Sequence, residues 1–126
     1  MRTRLPDERK SVNHRFILHG VDEEGIARDW KGYITVGFYP DGKVGEVFVK
    51  MDRQGGTVSG FIDAWAIAMS MLLQEGVPLA DLVKKYKGSK FPPSGRSDTK
   101  DNEGRFMTAT SPIDYVVRWL EMRYGG

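Results

Sequence analysis

Three polar residues near the end of the chain have a spacing that suits phosphate or ribose binding. Thr110, Asp114 and Arg118 follow one another at intervals of four, so on a helix they lie along one face, opposite that helix's apolar residues. The amino terminus of a helix offers free N–H groups, and a guanidinium offers a planar fork that matches phosphate. The same spacing also fits an exposed ion pair between Asp114 and Arg118, which contributes only about 0.3–0.5 kcal/mol.

A polar segment before this helix contains an aromatic residue and an amide that could recognise a base. Phe91 lies in the sequence KFPPSG at 90–95, and Asn102 lies further along the same segment. A base stacked on such a ring contributes on the order of 1–3 kcal/mol. The ring could equally fold back onto the core, and polar loop residues are more often solvated than bound to a ligand.

A glycine-containing segment near the middle of the chain could approach an anion. Arg53 begins the sequence RQGGT at 53–57, where glycines would let the backbone approach an anion closely. The segment lacks the lysine and the spacing of a phosphate-binding P-loop, so a simple connection between two elements is the other interpretation. Arg28 and Lys31 could add positive charge, as could Arg2, Arg4 and Arg9, although basic arms are commonly solvated.

A catalytic set of nucleophile, base and orienting residue cannot be assembled from this sequence. The chain has no cysteine, and its two histidines, His14 and His19, have neither the spacing nor the companions of a metal site. Asp63 and Glu75 have no evident acid–base partner. We therefore predict a protein that is not an enzyme, with no metal and no cofactor.

The elements that must position these residues can be predicted from hydrophobic periodicity. Apolar and polar residues alternate over 33–39, then Pro40, Asp41 and Gly42 form a turn and a return strand reaches residue 51. A shorter strand precedes this hairpin at 12–19. Helices are expected at 60–75, at 77–87 as a short helix, and from Pro112, with Thr110 or Ser111 as its N-cap.

These elements predict an α+β fold, in which an antiparallel sheet, formed by the hairpin 33–51 and the N-terminal strand, packs against two main helices and one short helix. In the helix at 60–75, Phe61, Trp65, Ala68 and Leu72 are expected to form one broad core-facing stripe with their apolar neighbours. Residues 88–108 are too rich in glycine, proline and polar residues for a regular element, so a loop is expected there.

Composition indicates one soluble domain over residues 1–126. The chain carries 19 Lys and Arg against 17 Asp and Glu, a net charge of +2, which is too small to indicate duplex DNA binding. No segment has the length and hydropathy expected of an export signal or a membrane span. Together with the absence of cysteine, this predicts a cytoplasmic protein.

Four segments occur in order along the chain: RTRLPDERKSVNHRFIL, GYITVGFYPDGKVGEVFV, DAWAIAMSMLLQEGVPLADLV and SPIDYVVRWL. Together they resemble the C-terminal module of adenosylcobalamin-dependent ribonucleotide reductases, over roughly residues 2–122. In those reductases the module is appended to a much larger catalytic barrel and is often associated with a cysteine-bearing segment. This chain has neither the barrel nor a cysteine.

A chain of this length and pattern also resembles the phage-encoded anti-Thoeris signal-sequestering family. Members of that family bind the cyclic ADP-ribose isomers made by bacterial TIR-domain proteins, some hold cyclic oligonucleotides in a second site, and they form symmetric oligomers. This resemblance implies a ligand pocket near a subunit interface, lined by Phe91, Asn102, Thr110, Asp114 and Arg118. It further implies that Arg28 and Arg53 belong to the second nucleotide site.

From this resemblance we expect a homo-oligomer that sequesters a small cyclic nucleotide signal without turnover and so blocks anti-phage defence in the host cytoplasm. Two other functions compete with it. The chain could be a stand-alone accessory module of a cobalamin-dependent ribonucleotide reductase, which requires a large catalytic partner. It could also bind RNA or a single strand through Phe91 and the basic arm containing Arg2, Arg4 and Arg9.

Overall fold

A computed structural model describes residues 2–22, 24–52 and 56–125 of the chain. These residues form five strands and three helices. In chain order the elements are β1 (Ser11–Val21), β2 (Ala27–Phe38), β3 (Val44–Met51), α1 (Thr57–Gln74), α2 (Leu79–Tyr86), β4 (Ser94–Lys100), β5 (Phe106–Ala109) and α3 (Pro112–Tyr124).

The five strands form one sheet in the order β3-β2-β1-β4-β5, and all neighbours are antiparallel. This confirms the predicted α+β class. The hairpin of β2 and β3 is also confirmed, although β2 begins at Ala27, six residues before the predicted start. Those extra residues pair with the second half of β1, up to Val21 opposite Ala27.

The turn between β2 and β3 forms as its residue types predict. Gly42 has a φ of 89°, in the left-handed region that residues with a Cβ disfavour, and its N–H donates to the carbonyl of Tyr39 at 2.8 Å. The Asp41 carboxylate accepts from the N–H of Lys43 at 2.9 Å. The conformation of this turn helps to set the register in which β2 and β3 pair.

Residues on one face of the sheet are buried against the helices. In β1 the even-numbered residues Phe16 and Leu18 are fully buried while their odd-numbered neighbours face away, as period two requires. The ring of Phe16 stacks on Tyr115 of α3 with centroids 4.4 Å apart. The central strand β1 therefore lies under α3, and this contact forms the middle of the core.

Helix α1 runs along the edge strand β3 instead of over the centre of the sheet. The Ser70 hydroxyl accepts from the N–H of Val47 and donates to the carbonyl of the same residue, both at 2.8 Å. The Gln74 amide donates to the carbonyl of Gly45 at 3.0 Å. These bonds satisfy backbone groups that an edge strand would otherwise expose.

The predicted core-facing stripe of α1 is wrong in part. Phe61 is 73% exposed and Leu72 is 38% exposed, and Ala68 also faces solvent. The buried residues are instead Ile62, Ala66, Met69, Ser70 and Leu73. Because α1 is apolar on nearly every side, periodicity could not decide which side faces the core.

The prediction that residues 88–108 lack regular structure is also wrong. They contain β4 and most of β5, and β4 pairs with β1 through Leu18 opposite Ser97. Glycine permits this pairing, since a Cβ on Gly95 would lie 2.1 Å from the carbonyl oxygen of His19. Polar residues form these strands because β1 offers free backbone partners, which the local sequence does not reveal.

Among the described helices, α1 alone has the length and apolar composition of a membrane span. This is weak evidence, because the core helices of soluble proteins meet the same criterion. Three of its side chains, Ser59, Ser70 and Gln74, bond to the backbone of β3.

Candidate functional site

The carboxylate of Asp114 is the centre of a buried hydrogen-bond cluster at the start of α3. Ser111 caps this helix, since its hydroxyl accepts from the N–H of Asp114 at 2.9 Å. The Asp114 carboxylate in turn accepts from the N–H of Gly88 at 2.6 Å, the N–H of Thr110 at 2.9 Å and Nε of Arg118 at 2.8 Å. One side chain thus joins α3 to the end of α2 and to β5.

The Asp114 carboxylate remains charged despite its burial. Burial by itself would raise the pKa of Asp114, but the N–H groups of Thr110 and Gly88 and the guanidinium of Arg118 outweigh it and lower the pKa. Asp114 is therefore an anion at neutral pH. The Asp114 carboxylate links three chain segments. Because it already accepts three hydrogen bonds, it has little capacity to accept another from a ligand.

The predicted exposed stripe of Thr110, Asp114 and Arg118 is wrong for its middle member. Asp114 is fully buried, whereas the side chain of Arg118 is 37% exposed. The reason is tertiary, because the end of α2 and the segment 88–91 cover this side of α3. The ion pair between Asp114 and Arg118 does form, but with a buried carboxylate.

A surface cavity of about 480 Å³ lies between α3 and the hairpin of β4 and β5. It brings together Asn102 and Arg118, two of the predicted ligand residues. The hairpin tip and two residues from the last turns of α3 complete the wall; the lining residues are Asp101, Glu103, Arg105, Phe106, Met107, Thr108, Glu121 and Met122. That Asn102 and Arg118 hold a ligand there stays a prediction.

Phe91 lies near this cluster but does not line the cavity. Its N–H donates to the carbonyl of Thr110 at 3.1 Å, and the Thr110 hydroxyl donates to the carbonyl of Ser89 at 2.7 Å. The ring is half-buried. The structure thus places Phe91 and Thr110 side by side, while Asn102 and Arg118 face a different space.

Arg28 belongs to a separate region. Its Nε donates to Asp22 at 2.9 Å, and the hydrogen bond from the N–H of Ile26, together with those from Glu24 and Arg28, lowers the pKa of Asp22. Asp22 also borders a cavity of about 350 Å³ between the start of α1, Trp30, Met51 and the Pro92–Pro93 pair. Arg53, the other predicted residue of a second site, lies outside the described residues.

The sequence analysis missed a buried polar cluster between β1 and α3. His14 lies 2.9 Å from the Tyr115 hydroxyl, which is 2.6 Å from the hydroxyl of Thr99, and the imidazole stacks on Trp119 with centroids 4.5 Å apart. Burial lowers the pKa of His14. The sequence did contain a signal. Because side chains alternate along a strand, His14 lies on the same face of β1 as the buried Phe16.

In the described part of the chain, no three His, Asp or Glu side chains come together as a metal site would require. The second histidine, His19, pairs with Asp29 at 2.7 Å on the side of the sheet away from the helices. The two imidazoles therefore have different partners, since His14 contacts the hydroxyls of Tyr115 and Thr99 and His19 contacts a carboxylate.

Comparison with known proteins identifies relatives for nearly the whole chain. The TSCPD domain family matches residues 2–124. A vitamin B12-dependent ribonucleotide reductase of Rhodopirellula baltica is 38% identical over 123 residues, which are 98% of this chain and 11% of the relative. No solved structure matches.

Similar matches come from distant bacteria. The vitamin B12-dependent ribonucleotide reductase of Streptomyces coelicolor is 38% identical over 124 residues, 98% of this chain and 12% of the relative. The enzyme of the same name from Agrobacterium fabrum is 33% identical over 125 residues, 99% of this chain and 9% of the relative. The chain therefore spans about a tenth of the length of these relatives.

These comparisons correct the functional prediction. Both the family and the named relatives agree with the reductase-module resemblance, and none of them points to the anti-Thoeris family. The expectation that the chain sequesters cyclic ADP-ribose as a phage anti-defence protein is wrong, because it rested on general length and pattern, which the reductase modules share. With its match running from residue 2 to residue 124, the chain belongs to the TSCPD domain family.

Proposed function

We propose that this chain is a non-catalytic accessory module that docks on the catalytic part of a vitamin B12-dependent ribonucleotide reductase. One observation carries the proposal. Nearly all of the chain aligns at 33–38% identity with about a tenth of each reductase. A segment that forms a small part of a large enzyme works beside the other nine-tenths. A cytoplasmic location, predicted from the sequence, is part of the proposal.

The outer side of α1 supports a docking role. Phe61, Ile67, Met71 and Leu72 are between 38% and 73% exposed and recur at helical spacing along this side. The helix contains a single charged residue, Asp63. A surface helix normally turns a polar face to water, and a continuous apolar patch of this kind marks an interaction site. We define these four residues as the apolar face of α1.

We assign the catalytic part of the reductase as the occupant of this apolar face. In these relatives the matching segment is 11–12% of the protein, so the rest of the same chain offers it a large covalently linked surface. The edge of β3 is not available for docking, because Ser70 and Gln74 of α1 already bond to it. The partner surface should accordingly be apolar and should contact α1 side chains.

The residues of this chain do not fit a corrinoid cofactor. His14 is bonded to Tyr115 and stacked on Trp119, so its imidazole is not free to coordinate cobalt. His19 bonds to Asp29 through Nδ1 and lies on the exposed side of the sheet, and no histidine lines the cavities near α1 or α3. We therefore derive no catalytic step from this module and assign the cofactor chemistry to the rest of the reductase.

The proposal is tested by binding. The 126-residue chain is titrated, by calorimetry, into the Streptomyces coelicolor reductase from which the homologous segment has been deleted. We expect a one-to-one complex. Ile67→Glu should abolish the complex, because it places a charge in the apolar face. Ala80→Glu, which adds the same charge at an exposed position of α2, should bind normally.

Three outcomes would contradict the proposal. Failure of the unaltered chain to bind any part of the reductase would remove the docking role, as would undiminished binding by Ile67→Glu. Reduction of a ribonucleotide by the 126-residue chain alone, supplied with adenosylcobalamin and a thiol, would contradict the non-catalytic assignment.

A further inference from the structure

The side of the sheet away from the helices is open and carries aromatic and basic side chains. Residues that alternate with the buried ones along β1 and β2 face this side. We call it the open face. Its members on the first three strands include Asn13, Arg15, Ile17 and His19 of β1, Asp29, Lys31, Tyr33 and Thr35 of β2, and Glu46, Phe48 and Lys50 of β3; Glu46 is buried and paired with Arg9.

A cross-strand row places an exposed aromatic ring between two cations. Tyr33 in β2 is directly opposite Arg15 of β1 on one side and Lys50 of β3 on the other. Directly opposite side chains in a sheet are about 4.5–5.5 Å apart at Cβ. The Tyr33 ring is 41% exposed, so both its surface and the flanking charges are available to a ligand.

A second ring extends this surface. Phe48 is 38% exposed and pairs with Thr35, so it is the diagonal neighbour of Tyr33 on the same face. Diagonal neighbours are about 7–8 Å apart, which is within reach for aromatic side chains. Lys31 flanks Tyr33 on the other side along β2. Two rings and three cations thus occupy a continuous area of β1, β2 and β3.

This area has an excess of positive charge, which favours an anionic ligand. Among the described residues, no ion pair involves Arg15, Lys31 or Lys50. The acidic residues of the open face are already engaged. Asp29 pairs with His19 at 2.7 Å, and Asp98 of β4 accepts from the N–H of Ile17 at 2.8 Å.

A third exposed ring lies at the other edge of the sheet. Phe106 of β5 is 44% exposed, and the cationic groups of Arg96 and Lys100 lie 5.1 Å and 5.4 Å from its centroid. Arg96 is opposite His19 in β1 and so lies on the open face, and Phe106 lies at the outer edge of the sheet, where it also borders the cavity beside α3. Three strand spacings separate β2 from β5, about 14 Å in all.

We propose that the open face binds single-stranded nucleic acid, with bases stacked on Tyr33, Phe48 and Phe106 and phosphates held by the unpaired cations. Exposed rings interleaved with cations on a sheet are the combination that such ligands require, because every base has a stackable face and every linkage carries a negative charge. A duplex keeps its bases stacked internally, so it can contact the cations but not the rings. This activity goes beyond the docking function, and it uses the opposite side of the molecule from α1.

The proposal differs from the single-strand hypothesis of the sequence analysis in its residues. That hypothesis used Phe91 and the basic arm. Phe91 is half-buried beside Thr110, and Arg9 of the arm is paired with Glu46 at 2.6 Å. The open face instead depends on residues that only strand pairing brings together.

Binding is measured by fluorescence anisotropy with the 126-residue chain and a labelled oligothymidylate or oligouridylate of about twelve nucleotides. We expect saturable binding that weakens between about 50 and 200 mM salt, with a slope near −2 for about three phosphate contacts. Tyr33→Ala should weaken binding at least about fivefold. Ile26→Ala, which removes a similarly exposed apolar side chain (46%) from the turn between β1 and β2, is the control and should change nothing.

A second variant tests the cations independently of the rings. Lys50→Gln should make the salt dependence shallower by about 0.7, whereas Lys84→Gln on α2 should leave it unchanged. Circular dichroism of each variant tests whether the fold is intact. If Tyr33→Ala does not fold, Phe48→Ala replaces it as the ring variant.

Three results would overturn the proposal. These are no binding at the lower salt concentration, undiminished binding by both ring variants, and equal competition by a duplex of the same length, which would indicate attraction by charge alone. A fourth result would also overturn it. If an equimolar mononucleotide fully displaced the labelled oligonucleotide, the site would bind a single nucleotide and not an extended strand.

Discussion

The two long helices of this protein differ in a way that their compositions do not predict. In α1, five of 18 residues are buried, although the helix contains a single charged residue. In α3, seven of 13 residues are buried, and one of these is the charged Asp114. The more apolar helix is thus the more exposed one.

Position on the sheet explains this difference. Helix α3 crosses the central strand β1, where Tyr115 stacks on Phe16, and α2 covers its other side. Helix α1 runs along the edge strand β3 and touches the domain on one side. An apolar composition favours burial of a helix. The position of the helix on the sheet decides how much of its surface the chain itself buries. In α1 the chain buries only the side that faces β3.

The largest effect is expected at the largest buried ring of α3. Trp119 is 1% exposed and stacks on His14, so Trp119→Ala should lower the free energy of unfolding by about 3–5 kcal/mol. Urea denaturation followed by circular dichroism measures this. A loss below about 1 kcal/mol would show that α3 is not the main packing helix and would break the comparison.

The buried carboxylate of α3 should come next. Asp114→Ala leaves the N–H groups of Gly88 and Thr110 without their acceptor, at a cost of about 1–3 kcal/mol. Asp114→Asn retains one acceptor oxygen and should cost less. The lowered pKa of Asp114 adds a pH dependence, since its stabilisation is present above the unfolded pKa near 3.9 and is lost as pH falls below it.

A moderate effect is expected from the histidine beneath α3. Because burial lowers the pKa of His14, the folded state favours the neutral imidazole. Its contribution is complete above the unfolded pKa of about 6.5 and decreases as pH falls below it, by at most about 1.4 kcal/mol per unit. Denaturation at about pH 7.5 and pH 5 should show this loss. A pH dependence that persists undiminished in His14→Gln would assign it to another group.

The smallest effect is expected on the exposed side of α1. Phe61 is 73% exposed, so Phe61→Ser should change the free energy of unfolding by less than about 0.5 kcal/mol. The same denaturation experiment as for Trp119→Ala gives the direct contrast between the two aromatic residues. A loss as large as that of a core residue would mean that α1 already packs on this side, which would contradict the docking role.

Much of the fold could be predicted from local signals. The alternating residues of the hairpin 33–51, the turn at Gly42 and the cap of α3 at Ser111 are all written in neighbouring residues, and each formed as expected. The strands β4 and β5 could not be predicted, since their polar residues adopt an extended conformation only through pairing with β1.

The candidate site was less accessible to prediction. Spacing correctly paired Asp114 with Arg118 but placed the carboxylate on the surface, because burial of that side depends on Gly88, 26 positions away. The sequence shows the aromatic and basic residues of the open face, but not that they lie together. Their grouping around Tyr33 required the pairing of Arg15 and Lys50, which are 35 positions apart in sequence (50 − 15).

The sequence by itself determined which segments become strands and helices wherever periodicity, capping and turn chemistry act within a few residues. It also carried the resemblance to the reductase module, since that resides in the order of residues. Only the tertiary structure decided which side of α1 remains in water, why Asp114 is buried as an anion, and which cations surround Tyr33. Those properties depend on contacts between distant segments, and a local pattern that is apolar or polar on every side contains no information about which side will be covered.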